Sequence, residues 1–544
     1  MRKVGLTLSL LVVSASLASA FTACVGDDPV AVTQDATIPQ DAATTIPDTS
    51  TPPPPDGATP DAQAQAQVTV DPPRAFLRQG GTVEIDAKIE RKGLAGELAV
   101  TVTGLPKGVT ARPAVFAAAA TTTKVTLVAA NDATVGDAPI KLEVTGATPA
   151  TVNLLVAGPS GTLDTTFDND GLVLVTADPA AVFYAARVQN DGKIVAVGAQ
   201  AGGAAGGGWY VKRFNSDGSP DTAFNTAAAA AIPGQGMARA LAFEPGSGKI
   251  VVAGGAGGTE RVTVVRLNPN GAADQGFANA GTLMVDSVTH PNGSRANGVV
   301  AFANGSVLVA GTRTEGGGGG TGIVDRYLPN GTRDPAFASY VSPTASAFTG
   351  LLPLGGGSFF VTGTEASVSP PAQVGLRLLT NGTPDATFGT QGKRTYASGC
   401  RGAASALATN GDVVITGQDV RGPSYCVTRV AAQGTGEQLY TQSIGGGNSE
   451  QFTAAAAGPS NTTYAAGNGG GSQDKVAILE RRLPSGTLDR SFASAGTYEL
   501  EDPATPDTYI YSIQGATTGD DGRVLIVGSR AASNRGPFIA RFWP

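Results

Sequence analysis

A single histidine, His290, three cysteines, three methionines and two tryptophans are all that 544 residues hold of these four residue types. One histidine excludes a multi-histidine metal centre, and a Ser-His-Asp or Cys-His site would have to be built on His290. It stands in the polar stretch Val288-Thr-His-Pro-Asn-Gly293, which carries no catalytic pattern. Charge is sparse too, with 15% Asp, Glu, Lys and Arg, and the net charge is −7. A chain this acidic presents no electrostatic footprint for nucleic acid. Aromatics make up 6%, and extended helical periodicity is missing from the long C-terminal part. The glycine runs Gly202–Gly208 and Gly316–Gly320 lack the strand–glycine–helix setting of a nucleotide loop and read as flexible connections.

What is present is repetition. Gly-x-x-Asp-x-x-Phe occurs at Gly161 (GTLDTTF), Gly218 (GSPDTAF), Gly271 (GAADQGF), Gly331 (GTRDPAF), Gly382 (GTPDATF) and Gly486 (GTLDRSF). A degenerate copy at Gly434 puts Glu437 and Tyr440 on the acid and aromatic positions. The starts are 51 to 60 residues apart, a period that signals a propeller or an array. Arginine stands five residues before six of the motif glycines, and the seventh, Arg541, ends the chain with no motif after it. Asp164 has no arginine before it, so the count closes only if the two ends meet. The expected pairs are Arg213 with Asp221, Arg266 with Asp274, Arg326 with Asp334, Arg377 with Asp385, Arg429 with Glu437, Arg481 with Asp489, and Arg541 with Asp164. A constant eight-residue spacing suits a structural guanidinium–carboxylate pair better than a ring of cation ligands.

Before each arginine lies a turn, an apolar run and a glycine, as in DGKIVAVG ending at Gly198 and NGSVLVAG ending at Gly311. Asp-Gly and Asn-Gly between extended runs signal a two-residue hairpin. Each repeat therefore reads as strand A, tight turn, strand B, variable loop, strand C with the arginine, then the motif and strand D. Strand D is expected seven times, with its first copy, Gly171–Thr176, completing the last unit. The fold class is all-β: a seven-bladed propeller over 161–544, preceded by a small β-sandwich and a disordered tether. Asp168-Asn-Asp-Gly171 lacks the later ligands of a calcium loop and reads as a turn. The five Asn-x-Ser/Thr matches are incidental, most of them products of Asn-Gly turn chemistry.

These motifs resemble the bacterial delta-60 repeat family, and the resemblance implies propeller-like exported or surface proteins with no known catalytic activity. Upstream, Met1-Arg-Lys and the apolar run Val4 to Ala20 read as an export signal over 1–23. Ala18-Ser-Ala20 suits ordinary cleavage. Phe21-Thr-Ala-Cys24 resembles a lipobox, and lipidation of Cys24 leaves Cys400 and Cys426 as an even pair, expected to form a disulfide. Residues 24–66, rich in Pro, Thr and Ala, form the tether. Residues 67–158 alternate with period two and resemble an immunoglobulin-like module.

Function is expected to concentrate where loop length varies, on the face of the B–C and D–A connections. Candidate residues there are Trp209, Tyr210, His290, Arg313, Glu315 and Tyr425. The expected function is a monomeric, envelope-anchored, non-enzymatic module that binds an envelope protein or glycan. No cofactor and no metal are expected, and contact with the membrane is through the lipid anchor alone. The competing classes are an extracellular polysaccharide-acting hydrolase or lyase, and a structural envelope protein without a ligand. Secretion without an anchor is the alternative localisation.

Overall fold

The computed structural model describes residues 65–544 except 201–206, 286–289, 317–318, 423, 432–436, 443–450, 470–475, 501–510 and 531–535. The export signal, Cys24 and the tether up to residue 64 lie outside the described residues. Almost every described element is a strand.

From Ala66 to Ala157 the chain forms two five-stranded sheets around one core. Thr82–Glu90 shows why. Ile85, Ala87 and Ile89 are buried and the residues between them exposed, so one face of the pleat turns inward. Val125 and Leu127 of the same sheet meet Leu142, Val152 and Leu154 of the other.

Beyond residue 170, strands A, B and C occur in seven successive sets, antiparallel in sequence order, in propeller-like curled sheets. The first set is Ala181–Val188, Ile194–Gln200 and Gly208–Phe214. The last is Tyr511–Thr518, Val524–Arg530 and Gly536–Phe542. The third and fourth sets share one sheet because strand D of one runs unbroken into strand A of the next, as Tyr340–Pro353. The A strands lie innermost, each against the next. Ala181–Val188 also packs against Tyr511–Thr518, which brings the last set back to the first. The last set takes its fourth strand, Leu172–Leu174, from the beginning of the region, with Val173 opposite Ile539.

One expected strand D is replaced. After the motif at Gly218, residues Thr222–Ala231 form a helix, α1. The run Asn225-Thr-Ala-Ala-Ala-Ala-Ala231 combines the strongest helix former with nothing bulky to fill a pleated surface. Asp221 caps it by accepting a hydrogen bond from the Phe224 N–H. The first sheet therefore has three strands.

The chain's end is fixed to the N-terminal sheets. Trp543 is buried with Leu155 and Ala157, and Arg78 donates to the Pro544 carbonyl at 2.6 Å. Arg523, in the last A–B turn, pairs with Asp137 at 2.8 Å.

Candidate functional site

The repeated motif assembles one module six times. The arginine Nε donates to the acid's Oδ2 at 2.6–3.0 Å in the pairs 213–221, 266–274, 326–334, 377–385, 481–489 and 541–164. The acid is held from behind as well, its N–H bonded to the arginine's own carbonyl, as in Asp164 to Arg541 at 2.8 Å. The other oxygen, Oδ1, accepts the N–H two residues on in five of the six, as from Ala336 at 2.8 Å and Thr387 at 2.9 Å. The motif phenylalanine then lies under the guanidinium. Arg213 sits 4.0 Å from the Phe224 ring centre, Arg266 4.5 Å from Phe277 and Arg541 4.5 Å from Phe167. The eight-residue spacing thus wraps a cation in a carboxylate and a ring.

The module faces the neighbouring unit. Arg213 Nη1 donates to the Pro269 carbonyl of the second unit at 2.7 Å, and Arg266 Nη1 to Gly305 of the third at 2.8 Å. Arg326 reaches Thr380, and Arg541 reaches Ser216 of the first unit at 2.5 Å. Each of these arginines joins its own unit to the next, and the last joins the end to the beginning.

In the fifth unit the expected acid, Glu437, has its side chain outside the described residues. Arg429 Nε pairs with Asp412 Oδ2 at 2.9 Å. Asp412 takes the place in the A–B turn where Lys193 and Lys249 stand in the first two units. Those lysines bond Asp221 and Asp274 from the same side. An acid of the A–B turn therefore meets this cation. Arg429 Nη1 still reaches across to the Asn461 carbonyl at 3.1 Å.

These surroundings make Asp221, Asp274, Asp334, Asp385 and Asp489 stronger acids. For Asp221, burial opposes ionisation, but hydrogen bonds from Lys193, the Phe224 N–H and Arg213 outweigh it and bring the pKa from 3.8 to about 2. For Asp274 burial is likewise outweighed, with Lys249 the leading opponent, and for Asp489 the hydrogen bonds from Ser491 lead. The Ala336 N–H contributes most to lowering Asp334, and the Thr387 hydroxyl most to lowering Asp385. Carboxyls more acidic in the folded state add stability above their unfolded pKa of about 4 and lose it as pH falls through their folded values. The urea midpoint is therefore expected to stay level from pH 7 to 5 and to drop steeply between about pH 4 and pH 2. A midpoint that stays level to pH 2 would contradict this.

A second recurring feature sets the inner wall. All seven A strands carry a β-bulge where two residues face one on strand B, as between Phe183 and Ala185, and between Ala238 and Ala240. The residue opposite is the glycine that ends the apolar run. A Cβ on Gly198 would collide with the Val182 carbonyl, on Gly254 with Met237, and on Gly311 with Arg295. The bulge drives a carbonyl into the space a side chain would take, which is why glycine closes each apolar run inside strand B. Gly254→Ala is expected to cost about 1–3 kcal/mol or more by thermal or urea denaturation, because backbone must shift. Gly258→Ala, in open space, should cost far less.

Four of the six candidate binding residues are buried. Trp209 is 4% exposed, and its indole N–H donates to the Gly255 carbonyl of the next unit at 2.8 Å. Tyr210 packs against Phe183 and donates to Asp178. Tyr425, 1% exposed, packs on Phe452 and donates to Glu480. His290 is 3% exposed with Nδ1 2.9 Å from the Ser294 hydroxyl. Trp209, Tyr210 and Tyr425 belong to C strands, where both faces of the sheet meet neighbouring units, so their bulk fills inter-sheet space. Arg313 and Glu315 remain partly exposed, bonded to each other at 2.8 Å. Cys400 and Cys426 form a disulfide, with Cα atoms 6.2 Å apart. That is closer than the roughly 10 Å expected for strands A and C separated by strand B.

On the face of the A–B and C–D turns, a cavity of about 260 Å³ lies between the N-terminal sheets and the seam of the first and last units. Arg74, Asp137, Asp191, Ser216, Asp521 and Arg523 line it.

Residues 189–224, 246–277 and 303–337 match the family model described as "Domain of unknown function (DUF5122) beta-propeller". The stretches fall on the first three units and support a propeller-repeat family. Among curated proteins none matches. The chain is similar to solved structures at low identity. One is the Bacteroides ovatus GH5 xyloglucanase, at 17% identity and TM-score 0.14, over 24% of this chain and 29% of that enzyme's length. Another is NanB, solved with Optactamide, at 8% identity and TM-score 0.33, over 86% of this chain and 97% of that one. A third is the Escherichia coli adhesin FdeC, at 14% identity and TM-score 0.15, over 57% and 95%. Overlaps this loose carry no argument about fold or activity.

Proposed function

We propose that the chain is an exported, envelope-anchored, non-enzymatic interaction module that binds a glycan or protein. In this reading residues 161–544 form a closed seven-bladed propeller of delta-60 type. Residues 67–158 are an immunoglobulin-like sandwich beside it, and Cys24 carries the lipid anchor at the end of the tether. The unbroken succession of seven inner strands supports the blade count, and the pairing of Leu172–Leu174 with Gly536–Phe542 supports closure.

One observation carries the functional reading. The motif acids and arginines, the regular charged groups of the repeat, are occupied in joining one unit to the next. They are fasteners, and the turn face they occupy also receives the N-terminal sheets. Binding is then left to the opposite face and the opening it surrounds. Purified protein screened on glycan and envelope-protein arrays, with polysaccharide turnover measured alongside, tests this. Saturable binding without turnover is expected. Turnover would establish the hydrolase or lyase class, and silence on both arrays the structural one.

A further inference from the structure

The seven innermost strands contain four arginines, Arg187, Arg239, Arg295 and Arg401, and no Asp, Glu, Lys or His, although the chain carries a net charge of −7. All four stand on the strands that border the opening. At the bulges the side chains reach along the inner wall to the next unit. Asn297 donates to the Phe348 carbonyl at 2.7 Å, and Thr453 to Ile513 at 2.5 Å. Arg187 lies past the bulge of its strand, opposite Val195, and its Nε also reaches the next unit, donating to the Leu241 carbonyl at 2.8 Å. Its terminal nitrogens have no partner among the described residues, and the side chain is exposed. A guanidinium there stays charged. Arg239 and Arg295 share one carboxylate, Glu260, each at 3.7 Å, which leaves one positive charge in excess. Arg401 is exposed and has no partner among the described residues. Beside Arg239, its Cζ 5.8 Å from the ring centre, stands the half-buried Tyr184.

We infer that this opening binds the carboxylates of an acidic oligosaccharide, with Arg187 and Arg401 as the free cations and Arg239 and Arg295 as the shared pair. This deepens the interaction-module reading and rests on it. The guanidinium fork matches a carboxylate, the amide and hydroxyl side chains at the bulges match sugar hydroxyls, and the Tyr184 ring offers a flat apolar face to a pyranose. A peptide partner is less well served. Peptide recognition draws on apolar anchors. Among the described residues the one exposed large apolar side chain in an element that includes an innermost strand is Val341, and it falls in the strand-D part, opposite Ile323.

Calorimetric titration of the full chain with a galacturonic acid oligosaccharide tests it. The same oligosaccharide with reduced carboxyls, and poly-glutamate, serve as comparison ligands. Binding of the acidic sugar is expected, weakening as salt rises. Arg187→Ala and Arg401→Ala should each weaken it about tenfold or more, and Lys124→Ala on the N-terminal sheets should not change it. Thermal midpoints near that of the parent would show that the variants are folded. Equal affinity for the carboxyl-reduced sugar, tighter binding of poly-glutamate, or no binding of any of the three would overturn the inference. An array ligand whose binding ignores both arginine substitutions would leave the interaction module standing and remove only this site.

Discussion

Asp164→Asn is expected to destabilise the propeller region by about 3–5 kcal/mol, the range for leaving a buried charge without its partner. Asp164 is fully buried, and Arg541, bonded to it at 2.7 Å, is 5% exposed. A second guanidinium, Arg523, lies 3.4 Å from the same oxygen. Asparagine keeps the volume and removes the charge, so two cations are left facing a neutral amide at the place where the chain's ends meet. Asp334→Asn makes the same change in an internal unit, where the arginine side chain is 19% exposed and water can take over part of the lost interaction. Its cost should be clearly smaller. Equal losses in urea midpoint for the two variants would mean that the seam has no special weight.

Trp543→Ala is expected to cost a further large amount, about 3–5 kcal/mol for deleting a buried tryptophan. The indole is 2% exposed against Leu155 and Ala157, and it lies so close to Gly158 that a Cβ there would meet the ring. Arg523 stands over the indole at 5.0 Å while bonding Asp137. One residue therefore joins the last strand, the last A–B turn and the N-terminal sheets. Its loss should do more than lower the thermal midpoint. Limited proteolysis should release the N-terminal sheets by cleavage near Gly158–Gly161. A variant that melts earlier but resists cleavage there would show that the tryptophan stabilises the propeller alone.

Spacing was what made the fold readable. The arginine and acid recur at a fixed separation, and a salt bridge across a turn of fixed length leaves that trace in the chain. The roles of Phe167, Phe277 and their counterparts were not readable, because a phenylalanine under a guanidinium looks the same in sequence as one in any core. The glycines at 198, 254 and 311 were read only as the close of each apolar run. Their cause, a bulge in the partner strand, is a feature of two strands at once and is written in neither alone. Asp412 was hidden for a related reason: it meets Arg429 from another turn, outside the fixed eight-residue spacing. Helix α1 was missed because the repeat outweighed a local alanine run. Trp209, Tyr210 and Tyr425 were assigned to a surface because aromatics near variable loops often mark one. In a stack of sheets, both faces of a C strand meet neighbours, and large side chains there are filling.

The central claim is that the repeated charged pair fastens the units, and that the pair between Arg541 and Asp164 closes the ring. A double-mutant cycle on these two positions, Asp164→Asn and Arg541→Gln singly and together, measures that directly by urea denaturation. The account predicts a coupling of about 2–3 kcal/mol, at the high end for groups in contact, so that the double variant loses clearly less than the sum of the two single losses. Additive losses, with coupling near zero, would mean that the two residues do not meet in solution and that the ring is not closed by this pair.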